Sequence, residues 1–343
     1  MTVADQETPA APAPERRNGR AAAWRRGVLA SPAAPVYGAL LVVFLLAWLI
    51  VEIDGGNFLT SSNISNILER SIALGIVSAG QTVVILLGSL DLSVAQLISL
   101  SSLLGAEQMD GQASNVIPAI LVVLAFGAGV GLVNGLVITK LRVNAFIATL
   151  GMALILSGYI QDQWDGPAGA VPEGLVSFGF TRYGFLPQAA ILLALVVAAV
   201  WFLLRSTRFG YRIYAVGGDE EVSKLSGLRT HRTIIAAHVL CSVMAAITGL
   251  YLATRLQAGT PTVGTDGGYD LESIAAVVLG GTALMGGRGG VLGTIGGVFI
   301  LAVLDNTFNQ LEVDAFLKDV LRGVIIIAAV ALYARRSGAV RQT

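Results

Sequence analysis

The sequence predicts an all-α fold, a polytopic helical bundle that spans a membrane, and two observations predict it. Hydrophobic residues make up 55% of the 343 positions and charged residues only 13%, where a soluble domain carries about 25% charged residues. The mean hydropathy is +0.74. A soluble chain of this length would hold two or three domains, and the polar residues here are too few to cover their cores. The apolar residues also fall in long runs seeded with Gly, Ser and Thr, as in "AFGAGVGLVNGLVI" at 125–138. In lipid, hydrophobicity gives helices no drive to associate, and small residues let their backbones approach closely.

Residues 1–34 carry Ala, Pro, Glu and five arginines without apolar periodicity, a composition that does not offset the entropy of ordering and predicts a disordered tail. The run "PVYGALLVVFLLAWLIV" at 35–51 leads into "EIDGG", not into a small-residue cleavage site, so it is expected to remain as a membrane anchor. Further apolar segments are expected at about 71–88, 94–106, 116–138, 145–160, 189–204, 233–254, 271–285, 289–305 and 319–334. That makes ten, several of them shorter than the roughly 20 residues that cross a bilayer core and therefore expected to be broken or re-entrant. The membrane domain is thus expected over 35–334, with a C-terminal tail at 335–343.

If the ten segments alternate from a cytosolic amino terminus, 17 of the 22 Lys and Arg residues fall on the cytosolic side. The exceptions are Arg70, Arg182, Arg255, Lys318 and Arg322. This is a strong positive-inside bias and predicts that both termini are cytosolic. The formal net charge is zero, so no bulk field points to nucleic acid. The single cysteine, Cys241, lies in an apolar run and excludes an intrachain disulfide. His231 and His238 flank the start of one segment, too few and too isolated for a metal site.

A cytosolic loop is expected over 205–232, and it concentrates charge in "AVGGDEEVSKLSGL" at 215–228. After Gly217 and Gly218, Asp219 is placed to cap a helix, with Glu220 and Glu221 in the first turn where the helix dipole favours acids. Val222, Leu225 and Leu228 then form a narrow apolar stripe, Lys224 falls on the polar side, and Gly227 follows Ser226 to end the helix. A short amphipathic helix held at the membrane face reads as a docking element for a soluble partner. The alternative is a charged connector that only fixes topology.

Four stretches carry a resemblance: "GYRIYAVGGDEEVSKLSGL" at 210–228, "LLGSLDLSV" at 86–94, "VNAFIATLGM" at 143–152, and "TVGTDGGYDLESIAAVVLGGTALMGGRGGVLGTIGG" at 262–297. Taken in chain order they resemble the permease subunits of bacterial ABC sugar importers of the ribose, xylose and arabinose type, in the branched-chain amino acid/ribose permease superfamily. The sequence departs from the family's common pattern in Asp219, where Asn is usual, and in Glu221 and Val222, where small alanines are usual. The resemblance covers roughly 60–335. It implies an inner-membrane pore of two permease subunits, as a homodimer or heterodimer. It also implies cytosolic ATPase subunits that bind ATP and Mg, a periplasmic sugar-binding protein, and no cofactor or catalysis in the chain itself. No G-x-x-x-x-G-K-[ST] stretch is present. By the resemblance, 215–228 is the coupling helix that transmits ATPase closure as a rigid-body shift. The cargo stays open among a monosaccharide, a nucleoside, a branched-chain amino acid and an autoinducer sugar.

The run "LGGTALMGGRGG" at 279–290 suits helix packing and a break near a membrane face better than a phosphate cradle, because strand context is missing. Two roles fit Asp91, a functional ionisable group beside a membrane segment or an N-cap at a helix break. Gln81, Asn134 and Asn306, with Ser93, either line a polar path for sugar hydroxyls or hydrogen-bond between helices. An ion-coupled secondary transporter would require paired intramembrane ionisable groups. An intramembrane enzyme would require a nucleophile with its base, or clustered metal ligands.

Overall fold

The computed structural model describes residues 34–314, 316–318, 320, 321, 323 and 324. Residues 1–33, the tail at 335–343 and all but four residues of the segment expected at 319–334 lie outside the described residues. The first apolar run folds as α1 (Ala34–Ile53). Helix α2 (Ser61–Ile85) starts ten residues before the run that hydropathy marks, because Thr60 caps it through Oγ1 and its first turns carry Asn63, Asn66, Glu69 and Arg70. Helix α3 (Val94–Met109) is followed by a short 3-10 turn and by α4 (Val116–Lys140) and α5 (Ala145–Gln163). A lateral segment holds α6 (Glu173–Phe180) and a small antiparallel ribbon, β1 (Arg182–Tyr183) with β2 (Leu186–Pro187).

Helix α7 (Ala190–Ser206) bends by 72° into α8 (Arg208–Gly218), and α9 (Glu220–Leu225) follows. The expected loop at 205–232 is therefore mostly helical. Thr207 caps α8 by accepting from Gly210 N, and Ile213 and Val216 are buried, so α8 lies against the bundle by its apolar face. The long α10 (Thr230–Leu256), a single turn α11 (Val263–Asp266), α12 (Tyr269–Leu279) and α13 (Val291–Gln310) complete the described fold.

Among the described residues, six helices, α1, α2, α4 with its 3-10 turn, α5, α10 and α13, are long and apolar enough to cross a membrane, and the bent α7–α8 pair makes a seventh if counted as one span. Nine of the ten expected segments each fall on one described helix, and the tenth, at 319–334, lies almost wholly outside the described residues. Those at 94–106 and 271–285 fold as helices of 16 and 11 residues, about 24 and 17 Å long at 1.5 Å per residue, and both adjoin breaks in the backbone.

Helix α2 is the most enclosed of the spans and packs against α10, α13, α12 and α7. Outer faces of α1, α4 and α5 leave large side chains such as Leu41, Leu121 and Leu154 exposed, as lipid contact requires. The most extensive helix contact among the described residues is α4 on α10, and small residues set its spacing. A Cβ on Gly131 would stand 2.5 Å from the His238 carbonyl oxygen, and one on Gly135 would stand 2.6 Å from Ile235 Cα. These glycines therefore act through close backbone approach. Gly131→Ala is expected to lower the thermal unfolding midpoint in detergent, with an overpacking cost of about 1–3 kcal/mol. Gly129→Ala, which meets nothing within 4 Å, is expected to leave it unchanged. Equal effects would show that glycine does not set this spacing.

Candidate functional site

Three stretches far apart in sequence, 86–94, 215–228 and 279–290, meet at one end of the bundle. Where α2 stops, the Leu86 carbonyl accepts from Gly287 N at 2.9 Å. Gly217, near the end of α8, lies so close that a Cβ on it would fall 1.8 Å from the same carbonyl oxygen. The Tyr214 hydroxyl donates to the Gly289 carbonyl at 2.9 Å, and Gly290 N donates to Thr282 Oγ1 at 3.2 Å. The N–H groups of Gly287 and Gly290 are thus already occupied by protein oxygens.

From this junction α9 projects outward. Asp219 Oδ1 accepts from Val222 N at 2.9 Å, so Asp219 caps α9, with Glu220 and Glu221 in its first turn. Helix α9 ends at Leu225, the Ser226 N–H reaches the Val222 carbonyl, and Gly227 follows at φ +80°, which turns the chain so that Leu228 N donates to the Ser223 carbonyl. Ser223 faces the bundle and is buried, whereas Leu225 is 89% and Val222 58% exposed, and Leu228 is half-buried. Gly218, Lys224 and Ser226 are exposed. Val222 and Leu225 of the apolar stripe thus point away from the rest of the described residues.

Inward from the junction, the backbone of 86–93 runs without helix between α2 and α3. The Gln81 amide donates to the Asp91 carbonyl at 3.2 Å, Leu92 N donates to Thr149 Oγ1 at 3.2 Å, and Thr149 Oγ1 lies 3.4 Å from the Leu90 carbonyl. Asp91 Oδ1 accepts from Ser93 N at 3.0 Å and from Ser93 Oγ at 2.5 Å, and Asn134 Nδ2 donates to Ser93 Oγ at 3.0 Å. Asp91 thus closes a turn onto Ser93, the residue that precedes α3, and no side-chain hydrogen bond caps α3 itself. Gln81, Asp91, Ser93 and Asn134 form one buried hydrogen-bonded group, completed by Cys241 Sγ donating to Gln81 Oε1.

Sequence reasoning missed His238, set aside as isolated. It is fully buried, its Nε2 lies 3.0 Å from Ser89 Oγ, and its Nδ1 faces Asp91 Oδ2 at 3.5 Å without hydrogen-bond alignment. The partnership crosses about 150 residues, so no local spacing signals it.

Asn306 lies elsewhere, at the opposite end of the bundle, where it accepts from the Gln310 amide at 3.3 Å. It lines a cavity of about 500 Å³ with Asn63, Asn66, Glu69, Arg70, Tyr251, Arg255, Tyr269, Asn309 and Gln310. Glu69 is held by Arg182 at 2.7 Å and by Arg255 at 2.8 Å, and Arg70 pairs with Asp305. Arg255 also lies 4.4 Å over the Phe180 ring. This polar end was the second omission. Its signal is Asn63, Asn66, Glu69 and Arg70 at helical spacing just before an apolar run.

The family described as "Branched-chain amino acid transport system / permease component" matches residues 63–330. The chain is 37% identical over 297 residues to the ribose import permease protein RbsC of Escherichia coli (strain K12), covering 84% of this chain and 91% of the relative. It is 38% identical over 308 residues to RbsC of Bacillus subtilis (strain 168), covering 88% and 93%. To the galactose/methyl galactoside import permease protein MglC of E. coli (strain K12) it is 34% identical over 327 residues, covering 87% and 95%. No solved structure matches the chain significantly. The family match begins in the first turn of α2 and extends past α13, so it takes in the break, α8, α9 and the glycine run, and the chain belongs to this family of multi-pass membrane permease components.

Proposed function

We propose that this chain is the pore subunit of an ATP-driven bacterial importer in the inner membrane, carrying a monosaccharide of the ribose or galactose kind handed over by a periplasmic binding protein. The observation that carries the reading is the outward apolar stripe of α9, Val222 and Leu225, mounted on the junction of three backbone segments. A stripe this exposed on a capped, charged helix suits the cleft of a cytosolic ATPase, which would bind the ATP and Mg. Closure of that ATPase would press on α9, and Gly217 would pass the shift to Leu86 and Gly287 and so to the break at 86–93. The names of the relatives support the sugar, and the related pairing of two permease subunits, alike or different, belongs to the same reading.

Orientation follows from charge. Lys140, Arg205, Arg208, Arg212, Lys224, Arg232 and Arg288 cluster toward the α9 end, whereas Arg70, Arg182 and Arg255 meet at the other. The positive-inside rule favours α9 in the cytosol. Tyr37 donates to the Leu292 carbonyl and Val36 contacts Gly296, so α1 starts at the α9 end as well. Counting the short α3 and α12 as passes beside the seven spans gives nine before residue 311. The segment expected at 319–334 would be the tenth and would return the carboxyl terminus to the cytosol.

In a Cys241→Ser background, Asp165→Cys is expected to label with an impermeant thiol reagent in intact cells and Glu221→Cys to label only after lysis; both positions are exposed. The reverse pattern would invert the orientation. Leu225→Glu sets an unpaired charge against an apolar cleft, a cost of several kcal/mol, and about 3 kcal/mol is already more than a hundredfold in affinity. Membrane expression should persist while the ATPase subunit is lost from pull-downs and sugar uptake stops. Lys224→Ala should be mild, because exposed ion pairs contribute little. Normal uptake and ATPase recovery in Leu225→Glu would reduce α9 to a connector. The purified chain alone should turn over no ATP, and turnover free of contaminating ATPase would refute its role as a subunit.

A further inference from the structure

We propose that the cavity at the end of the bundle far from α9 is a sugar-binding site of the permease itself, an inference that rests on the proposed role of the chain as a sugar permease. Its volume, about 500 Å³, falls within the roughly 300–1,000 Å³ of small-ligand sites. A smaller cavity of about 200 Å³ adjoins it and shares Arg70 and Tyr269. Five amide side chains line the larger one, Asn63, Asn66, Asn306, Asn309 and Gln310. Each already makes one protein hydrogen bond, Asn63 to the Phe58 carbonyl, Asn66 from Arg182, Asn306 from Gln310 and Asn309 from Lys318, and each keeps a further donor that a sugar hydroxyl can use.

The charges at this site are engaged with one another. Glu69 is bound by Arg182 and Arg255, and Arg70 by Asp305. A ligand therefore meets fixed, compensated dipoles, which suits a neutral polyol better than an anion or a zwitterionic amino acid. The rings of Tyr251 and Tyr269 supply apolar faces for the C–H surface of a pyranose or furanose. Tyr251 is 3% exposed and its hydroxyl has no hydrogen-bond partner among the described residues. A buried hydroxyl left unpaired costs about 1–3 kcal/mol, and a sugar in the cavity would supply the missing partner once the wall relaxes. By contrast, Gln81, Asp91, Ser93 and Asn134 line none of these four cavities, and they are hydrogen-bonded to one another.

The test is titration of the full-length protein in lipid nanodiscs with D-ribose, D-galactose and L-leucine, followed by saturation-transfer NMR. At least one sugar is expected to bind saturably and leucine not to bind. Gln310→Ala should weaken the sugar about tenfold and Tyr251→Phe about threefold to tenfold, the range of one hydrogen bond. Tyr251→Phe removes only an unpaired hydroxyl, so its unfolding temperature should stay level or rise, which separates loss of binding from loss of fold. Unchanged affinity in both variants, or no saturable sugar binding while the assembled importer still carries sugar, would overturn the site and leave the functional reading standing. Binding of leucine in place of either sugar would overturn both.

Discussion

A backbone that leaves its helix inside a membrane must find a partner for every polar group it frees, and the break between α2 and α3 lives under that constraint. Leu86, Asp91, Leu92 and Ser93 are buried, so their carbonyls and N–H groups need partners within the protein. Gly287, Thr149, Gln81 and the Asp91 side chain take these places. Each orphaned group would cost about 1–3 kcal/mol, so the partners are held in place by the break as much as the break is held by them. The supporting residues come from α2, α4, α5, α10 and the 280–290 run, which makes one irregular segment the meeting point of the bundle.

The same segment explains how a short surface helix could matter to the interior. Helix α9 is fastened through Asp219 and α8 to Gly217, and Gly217 rests on the Leu86 carbonyl with no room for a side chain. On the far side of that carbonyl, Ser89 reaches His238 and Asp91 reaches Ser93 and, through it, Asn134. Contacts thus run from α8 through the break to α10 and α4, the route along which the proposed displacement of α9 would travel. Close packing transmits such shifts because interiors have little compressibility.

The membrane class and the outer helices were legible in composition and hydropathy, because lipid contact demands long apolar runs and little else. So was the cap of α9, since Asp219 with Glu220 and Glu221 is a local signal. Helix α8 was not, because it is amphipathic over one flank of the bundle and its Arg208, Tyr211 and Arg212 resemble a loop. The start of α2 was hidden for a related reason, as Asn63, Asn66, Glu69 and Arg70 lower its hydropathy where they line a cavity. Gln81, Asn134 and Asp91 were visible as polar residues in apolar runs, but their union with His238 depends on packing between segments up to 160 residues apart. Asn306 looked like their companion and lies at the other end.

Transmission through one glycine is the part of this account most open to direct trial, and adjacent positions supply the control. A Cβ at Gly217 would collide with the Leu86 carbonyl at 1.8 Å, whereas a Cβ at Gly218 meets nothing within 4 Å. The measurement is labelled-sugar uptake by the assembled importer bearing Gly217→Ala or Gly218→Ala, with ATPase recovery checked in the same membranes. Gly217→Ala is expected to retain the ATPase and lose uptake, while Gly218→Ala transports close to the parent rate. Equal uptake by the two variants would contradict it.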